Sequence, residues 1–74
     1  MKRVIVPLAP GFEELEAITI IDLLRRADIE VISVGLDDQP GRPVTASRGS
    51  VHIPDQPLAT ALAGEYDMVV LPGG

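Results

Sequence analysis

From Met1 to Leu36 a strand-length apolar run, a helix with charge-matched ends and a second apolar run follow one another. This order constrains the fold more than any other feature. A strand, a helix and a strand joined by short connections close as a parallel pair with a right-handed crossover. The first run, Val4 to Ala9, is continuous rather than alternating, which suits a strand covered on both faces of a parallel sheet, and Glu30 to Leu36 reads as the second strand. Pro7 removes one ladder donor from the first run. Either its amide position faces no partner or the strand is irregular toward its end. Pro10-Gly11 then marks a turn.

The helix is expected over Glu13 to Ala27. Glu13, Glu14 and Glu16 stand at its start and Arg25 and Arg26 at its end, matching the helix dipole at both termini. Ala17, Ile20, Ile21 and Leu24 make one apolar stripe, and Leu15, Ile18 and Leu23 widen it beyond a one-sided face. A second burial surface is implied, supplied either by later segments of the same domain or by another subunit.

After a turn at Ala27-Asp28 and the second strand, Asp37 to Pro43 reads as a loop. Val44 to Ser47 and Ser50 to Ile53 read as two short strands around Arg48-Gly49, either a hairpin or an excursion from the main sheet. Thr60 to Ala63 is a short helix candidate. Asp67 to Leu71 reads as another buried parallel strand, running into Pro72-Gly73-Gly74. A βα sheet follows each strand with a covering element, whereas here the sequence stops on the turn. The expectation is that 1-74 is the N-terminal part of a single domain of about 100 to 200 residues. A lone chain of this size removes only about 60% of its unfolded surface from water. Its 46% hydrophobic content, with one Tyr, one Phe and no Trp, makes an aliphatic core that needs more protein to pack against.

The net charge of −5 and pI near 4.5 argue against a nucleic-acid surface, which needs clustered Lys and Arg. Small-molecule or protein partners fit better. The chain has no cysteine, so any thiol chemistry comes from outside these residues. Met1-Lys2-Arg3 and the following apolar run are too short, too Pro-interrupted and too close to glutamates for a secretory leader. The expectation is a cytoplasmic protein, and no apolar stretch approaches the roughly 20 residues that span a bilayer.

In open α/β sheets, sites form beyond the carboxyl ends of strands. Two such ends are Leu8 to Glu14 and Val70 to Gly74. Gly73 and Gly74 make either a tight turn or a backbone that turns its amides toward an anion or oxyanion. Acids in a first helical turn are ordinarily solvated dipole partners. Glu16 differs if it points into the strand-end crevice: burial sufficient to outweigh the helix N-terminus would let it share a proton with a thiolate or an oxidised sulfur. His52, the one histidine, reads as a solvent-face residue, with a base or ligand role as the alternative. Arg48 is an exposed loop arginine or a group that reaches a neighbouring subunit.

Two segments, LAPGFEELEAITIIDLLRRADIEV at Leu8 to Val31 and YDMVVLPGG at Tyr66 to Gly74, with Ser47-Arg48-Gly49 between them, resemble the ThiJ/PfpI superfamily. The likeness is to its Parkinson-associated-protein and YajL-like branch and covers nearly the whole chain. The resemblance implies a flavodoxin-like α/β parallel-sheet sandwich, here only its N-terminal part. It also implies an oxidation-sensitive cysteine on a strand-to-helix elbow beyond Gly74. By resemblance, Glu16 is that cysteine's acid/base or hydrogen-bond partner and Gly73 and Gly74 lend backbone amides. A homodimer is implied, with Leu15, Ile18, Asp22, Arg26, Arg48 and Val51 at its interface.

The resemblance further implies a stress-response protein with no cofactor and no metal, acting on small reactive aldehydes or glycation adducts in a glyoxalase-like or deglycase-like way. Its alternatives are a redox-sensing, chaperone-like protein without turnover, and a PfpI-type peptidase or amidotransferase-like domain. The isolated 1-74 chain, lacking the cysteine, is not expected to be an enzyme. Its partners would be its own C-terminal portion, a second copy and a small aldehyde or glycated substrate, with neither nucleic acid nor membrane. Pro10 and Phe12 depart from the small or polar residues of some members, and Phe12 is expected to narrow the site mouth.

Overall fold

The computed structural model describes residues 1–37 and 39–74. It contains β1 (Arg3–Leu8), α1 (Glu14–Arg26), β2 (Glu30–Gly35), β3 (Val44–Thr45), β4 (Val51–His52), β5 (Gln56–Pro57), α2 (Leu58–Ala61) and β6 (Met68–Val69). Four strands form one parallel sheet in the order β5-β2-β1-β6, while β3 and β4 pair antiparallel as a separate hairpin. The α/β class and the βαβ start are as the sequence implies. The expected loop from Asp37 to Pro43 includes Asp38, which lies outside the described residues.

β1 and β2 pair along their full lengths, from Arg3 opposite Glu30 to Leu8 opposite Gly35. Pro7 is accommodated by the ladder on the other side. The Val70 amide donates to the Ile5 carbonyl, and N–H and C=O of one strand residue point the same way, alternating along the chain. The next rungs would need an N–H on Pro7 and then one on Pro72. Neither proline has one, so β6 pairs over Met68–Val69 only.

Burial corrects two expectations. β1 alternates, with Val4, Val6 and Leu8 buried and Arg3, Ile5 and Pro7 half-buried, because only α1's side is thickly covered. β2 is buried from Val31 to Gly35 on both faces. Met68, Val69 and Leu71 are exposed rather than buried, since among the described residues no element packs over β6.

The larger core packs Val4, Val6, Leu8 and Val31 against Ala17, Ile21 and Leu24 of α1, with Phe12, Val44 and Ala46 at one end. A smaller cluster of Ile32, Val34 and Ala61, with Ile5, Leu58 and Tyr66, lies on the opposite face. Helix α1 starts at Glu13, whose side chain accepts from the Leu15 amide at 3.0 Å. It ends at Ala27, and Asp28 takes a left-handed φ of 62° to turn the chain into β2.

The sequence does not announce β5. It forms because Asp55 ties the preceding segment to β2: its carboxylate accepts from the Ser33 amide and its own amide donates to the Ser33 hydroxyl, each at 2.9 Å. Arg25 completes the junction, donating to Asp55 at 2.9 Å and to the Val31 carbonyl at 2.8 Å. α2 begins two residues earlier than expected, directly after Pro57, whose fixed φ suits a helix entrance.

Candidate functional site

The carboxyl ends of β1 and β6 open into a crevice of about 490 Å³, lined by Pro7, Ala9 to Phe12, Leu36 and Leu71 to Gly74. The segment between β1 and α1 forms one wall, and its Gly11 takes a φ of +84°, a conformation that glycine adopts without strain. The Glu13 amide donates to the Gly73 carbonyl at 2.5 Å, stitching the start of α1 to the end of the chain.

Glu16 and the terminal glycines meet here. A Cβ on Gly73 would lie 3.0 Å from Glu16 Oε2, and one on Gly74 would lie 2.9 Å from the Gly11 carbonyl oxygen. The two glycines therefore let the backbone pass between the Glu16 carboxylate and the Gly11–Phe12 backbone, a closeness that a side chain would prevent. Among the described residues neither the Gly73 nor the Gly74 amide has an acceptor. Glu16 is exposed, whereas its sequence-based role requires burial, because no described element roofs this end of the sheet.

Glu14 carries more of the local structure than its reading as a solvated dipole partner allowed. Its carboxylate accepts from the Ser50 hydroxyl at 2.5 Å, the Ser47 hydroxyl at 2.9 Å and the Arg48 amide at 3.0 Å. These donors, the Ser50 hydroxyl first, hold the carboxyl down at about 2 against the opposing effect of partial burial. The signal available in the sequence was Ser47-Arg48-Gly49-Ser50, a turn whose two hydroxyls flank a glycine with φ +94°.

His52 is half-buried rather than solvent-facing. Its Nε2 lies 2.9 Å from the Ser50 hydroxyl oxygen, and its ring meets the Phe12 ring edge-on at 5.4 Å. Since the one Ser50 proton goes to Glu14, Nε2 is the donor to Ser50. Phe12 is 3% exposed and packs in the core while it also lines the crevice.

At 100° per residue, Glu14, Leu15, Ile18, Asp22 and Arg26 fall within one arc of about 120° on α1, turned away from the Ala17 face. Leu15 is 74% exposed, Val51 60% and Ile18 44%. Asp22 and Arg26 pair with each other at 3.0 Å. The Glu14 bonds bring Arg48 and Ser50, and with Ser50 its neighbour Val51, to the N-terminal end of this helix. The Arg48 side chain makes no ion pair among the described residues. Among those residues, no three His, Asp or Glu side chains converge as a metal-holding group, and no helix is long and apolar enough to cross a membrane.

A sequence profile of the DJ-1/PfpI family matches residues 2–74. The chain belongs to the DJ-1/PfpI family. It is 47% identical over 73 residues to Protein dj-1beta of Drosophila melanogaster, covering 99% of this chain and 38% of that protein. Against the Parkinson disease protein 7 homolog of Danio rerio the identity is 45%, with 99% and 38% covered. The chain thus spans less than two-fifths of these DJ-1 relatives.

Solved DJ-1 structures superpose closely on it. Toxoplasma gondii DJ-1, described as oxidized, matches with a TM-score of 0.91 at 38% identity, covering 100% of this chain and 39% of that one. Drosophila melanogaster DJ-1beta also gives 0.91, at 46% identity, with 99% and 38% covered. The parallel sheet is thus that of the flavodoxin-like DJ-1 fold, of which this chain supplies a part.

Proposed function

We propose that the intact protein carrying this chain is a cytoplasmic, cofactor-free, cysteine-dependent stress-response enzyme acting on small reactive aldehydes or their glycation adducts. The observation that carries this reading is the Glu16 carboxylate held over Gly73, a residue that lines the strand-end crevice. In this reading the cysteine lies beyond Gly74, in the portion that the longer DJ-1 relatives also have. Once the rest of the domain encloses the crevice, Glu16 exchanges a proton with the thiol and its adducts. The Gly73 and Gly74 amides then face an oxygen that gains negative charge as the thiolate attacks an aldehyde carbon.

Conversion of glyoxal to a hydroxy acid suits a site of this kind. One carbon is oxidised while its neighbour is reduced, and one water is added, so no external oxidant is needed. In the full-length protein, Glu16→Gln should cut glyoxal turnover by on the order of 10²- to 10⁴-fold with an unchanged melting temperature. Unchanged turnover would rule out this role for Glu16.

The same reading makes the protein a homodimer in which a second copy covers Leu15, Ile18, Asp22 and Arg26 of α1 together with Arg48 and Val51. The exposure of Leu15 and Val51 supports it.

A redox-sensing, chaperone-like protein without turnover is the second reading, favoured by the oxidized state named for the Toxoplasma gondii relative. Here Glu16 would hydrogen-bond a cysteine sulfinate. Peroxide treatment should then leave a sulfinate detectable by mass spectrometry and change client binding; a cysteine that stays reduced sinks this alternative.

A further inference from the structure

Besides a 3.4 Å bond from the Ser47 hydroxyl to the Glu13 carboxylate, four ties connect the β3–β4 hairpin to the segment that leads from β1 into α1. The Gly11 amide donates to the Thr45 carbonyl and the Ser47 amide to the Phe12 carbonyl, each at 2.8 Å. The Phe12 and His52 rings meet edge to face. The fourth is the Glu14 carboxylate, which gathers Ser47, Arg48 and Ser50 at once. We propose that Glu14 is a positioning residue, clamping the Ser47–Ser50 turn onto the first turn of α1 and thereby holding Glu16 over Gly73.

The geometry of a helix gives the clamp its leverage. Glu14 and Glu16 project about 200° apart around the axis, so Glu14 anchors the first turn from the side opposite the crevice. A rotation of about 10° moves a side-chain tip at the helix rim by roughly 1 Å. A displacement of about 1 Å at a reacting centre can cost on the order of a hundredfold in rate. The same turn is also held by the Glu13 amide on the Gly73 carbonyl, by the Ser47 hydroxyl on the Glu13 carboxylate at 3.4 Å and by Ala17 in the core, so the clamp refines a direction that packing sets coarsely. Glu14 stays ionised across the physiological range, so its bonds to the turn are charge-assisted and of the stronger kind. Ser50 is in turn fixed by His52, which packs on Phe12 and returns the network to the loop it braces.

The catalytic consequence rests on Glu16 having the role proposed above, whereas the clamp itself can be read independently. In the full-length protein, Glu14→Ala, Glu14→Gln and Ser50→Ala would be compared by hydrogen-exchange mass spectrometry and glyoxal kinetics, with Glu16→Gln as reference. Glu14→Ala should speed exchange in peptides spanning 9–17 and 45–50 by about tenfold or more while the β2 peptide 30–35 is unchanged. It should also lower kcat by about tenfold or more with KM within about twofold, the pattern of a misplaced catalytic group. Glu14→Gln, keeping one acceptor oxygen, should recover part of both. Unchanged exchange in peptides 9–17 and 45–50 overturns the clamp. Faster exchange with full kcat, in a protein where Glu16→Gln is inactive, overturns the positioning role. If Glu16→Gln keeps its turnover, the functional reading fails instead and the exchange result alone decides the clamp. Should Glu14→Ala fail to fold, Ser50→Ala carries the same comparison.

Discussion

The Ser50 hydroxyl donates to the Glu14 carboxylate at 2.5 Å across 36 positions of chain. With the Ser47 hydroxyl and the Arg48 amide on the same carboxylate, it converts a helix-start glutamate into the fastening of a distant turn.

That fastening has an acid limit. Glu14 titrates near 4.5 when unfolded and at about 2 when folded, so between these values the unfolded chain binds a proton that the folded one does not. The stability it contributes is complete above about 4.5 and is lost as pH falls through about 2. Denaturation midpoints of the full-length protein and of Glu14→Gln should therefore converge as pH is lowered from 5 toward 2.5. A gap between the two that stays constant over this range contradicts the assignment.

The two terminal glycines should respond differently to alanine. At Gly73 the new Cβ meets the Glu16 carboxylate at 3.0 Å, the end of a flexible side chain that can swing aside. Gly73→Ala should leave the melting temperature nearly unchanged while impairing turnover as Glu16 is displaced. At Gly74 the Cβ meets the Gly11 carbonyl at 2.9 Å, where backbone must shift, at a cost of about 1–3 kcal/mol. Equal destabilisation of the two variants in urea unfolding would contradict this geometry.

Asp55 should matter more than its exposed position suggests. It accepts from the amide of the buried Ser33 and from Arg25, and Asp55→Ala leaves that amide without its acceptor and loosens β5 from β2. The expected loss is about 1–3 kcal/mol, read from chemical unfolding. A change within about 0.5 kcal/mol, the range of ordinary surface substitutions, would show that water replaces the carboxylate.

The exposed stripe of α1 offers a test of assembly. Leu15→Glu and Val51→Asp each place a charge where the proposed second copy would bury it, so sedimentation of the full-length variants should show monomers where the parent is a dimer. Dimers of unchanged affinity would place the interface elsewhere.

Much of this chain is legible from local pattern. The apolar runs at Val4 and Glu30, the charge-matched ends of α1, the Arg48-Gly49 turn and the strand leading into Gly73-Gly74 follow from periodicity, dipole and turn chemistry acting over a few residues. The extent of each strand is less so. β6 ends early because Pro7 and Pro72 fall on the same ladder, a coincidence of register between segments far apart in sequence. β5 depends likewise on Asp55 reaching Ser33, and the half-exposed face of β1 on how little covers it.

At the candidate site, the sequence by itself set Glu13, Glu14 and Glu16 in one helical turn and put two glycines after a strand. Periodicity and dipole could not divide the labour among the acids, since all three suit a helix N-terminus equally, and only the family resemblance singled out Glu16. Tertiary structure decided that by rotation about the helix axis, which turns Glu14 to the Ser47–Ser50 turn and Glu16 to Gly73. Helix propensity and dipole depend on position along the axis, whereas partners depend on direction around it. That direction is fixed only when Ala17, Ile21 and Leu24 find the sheet.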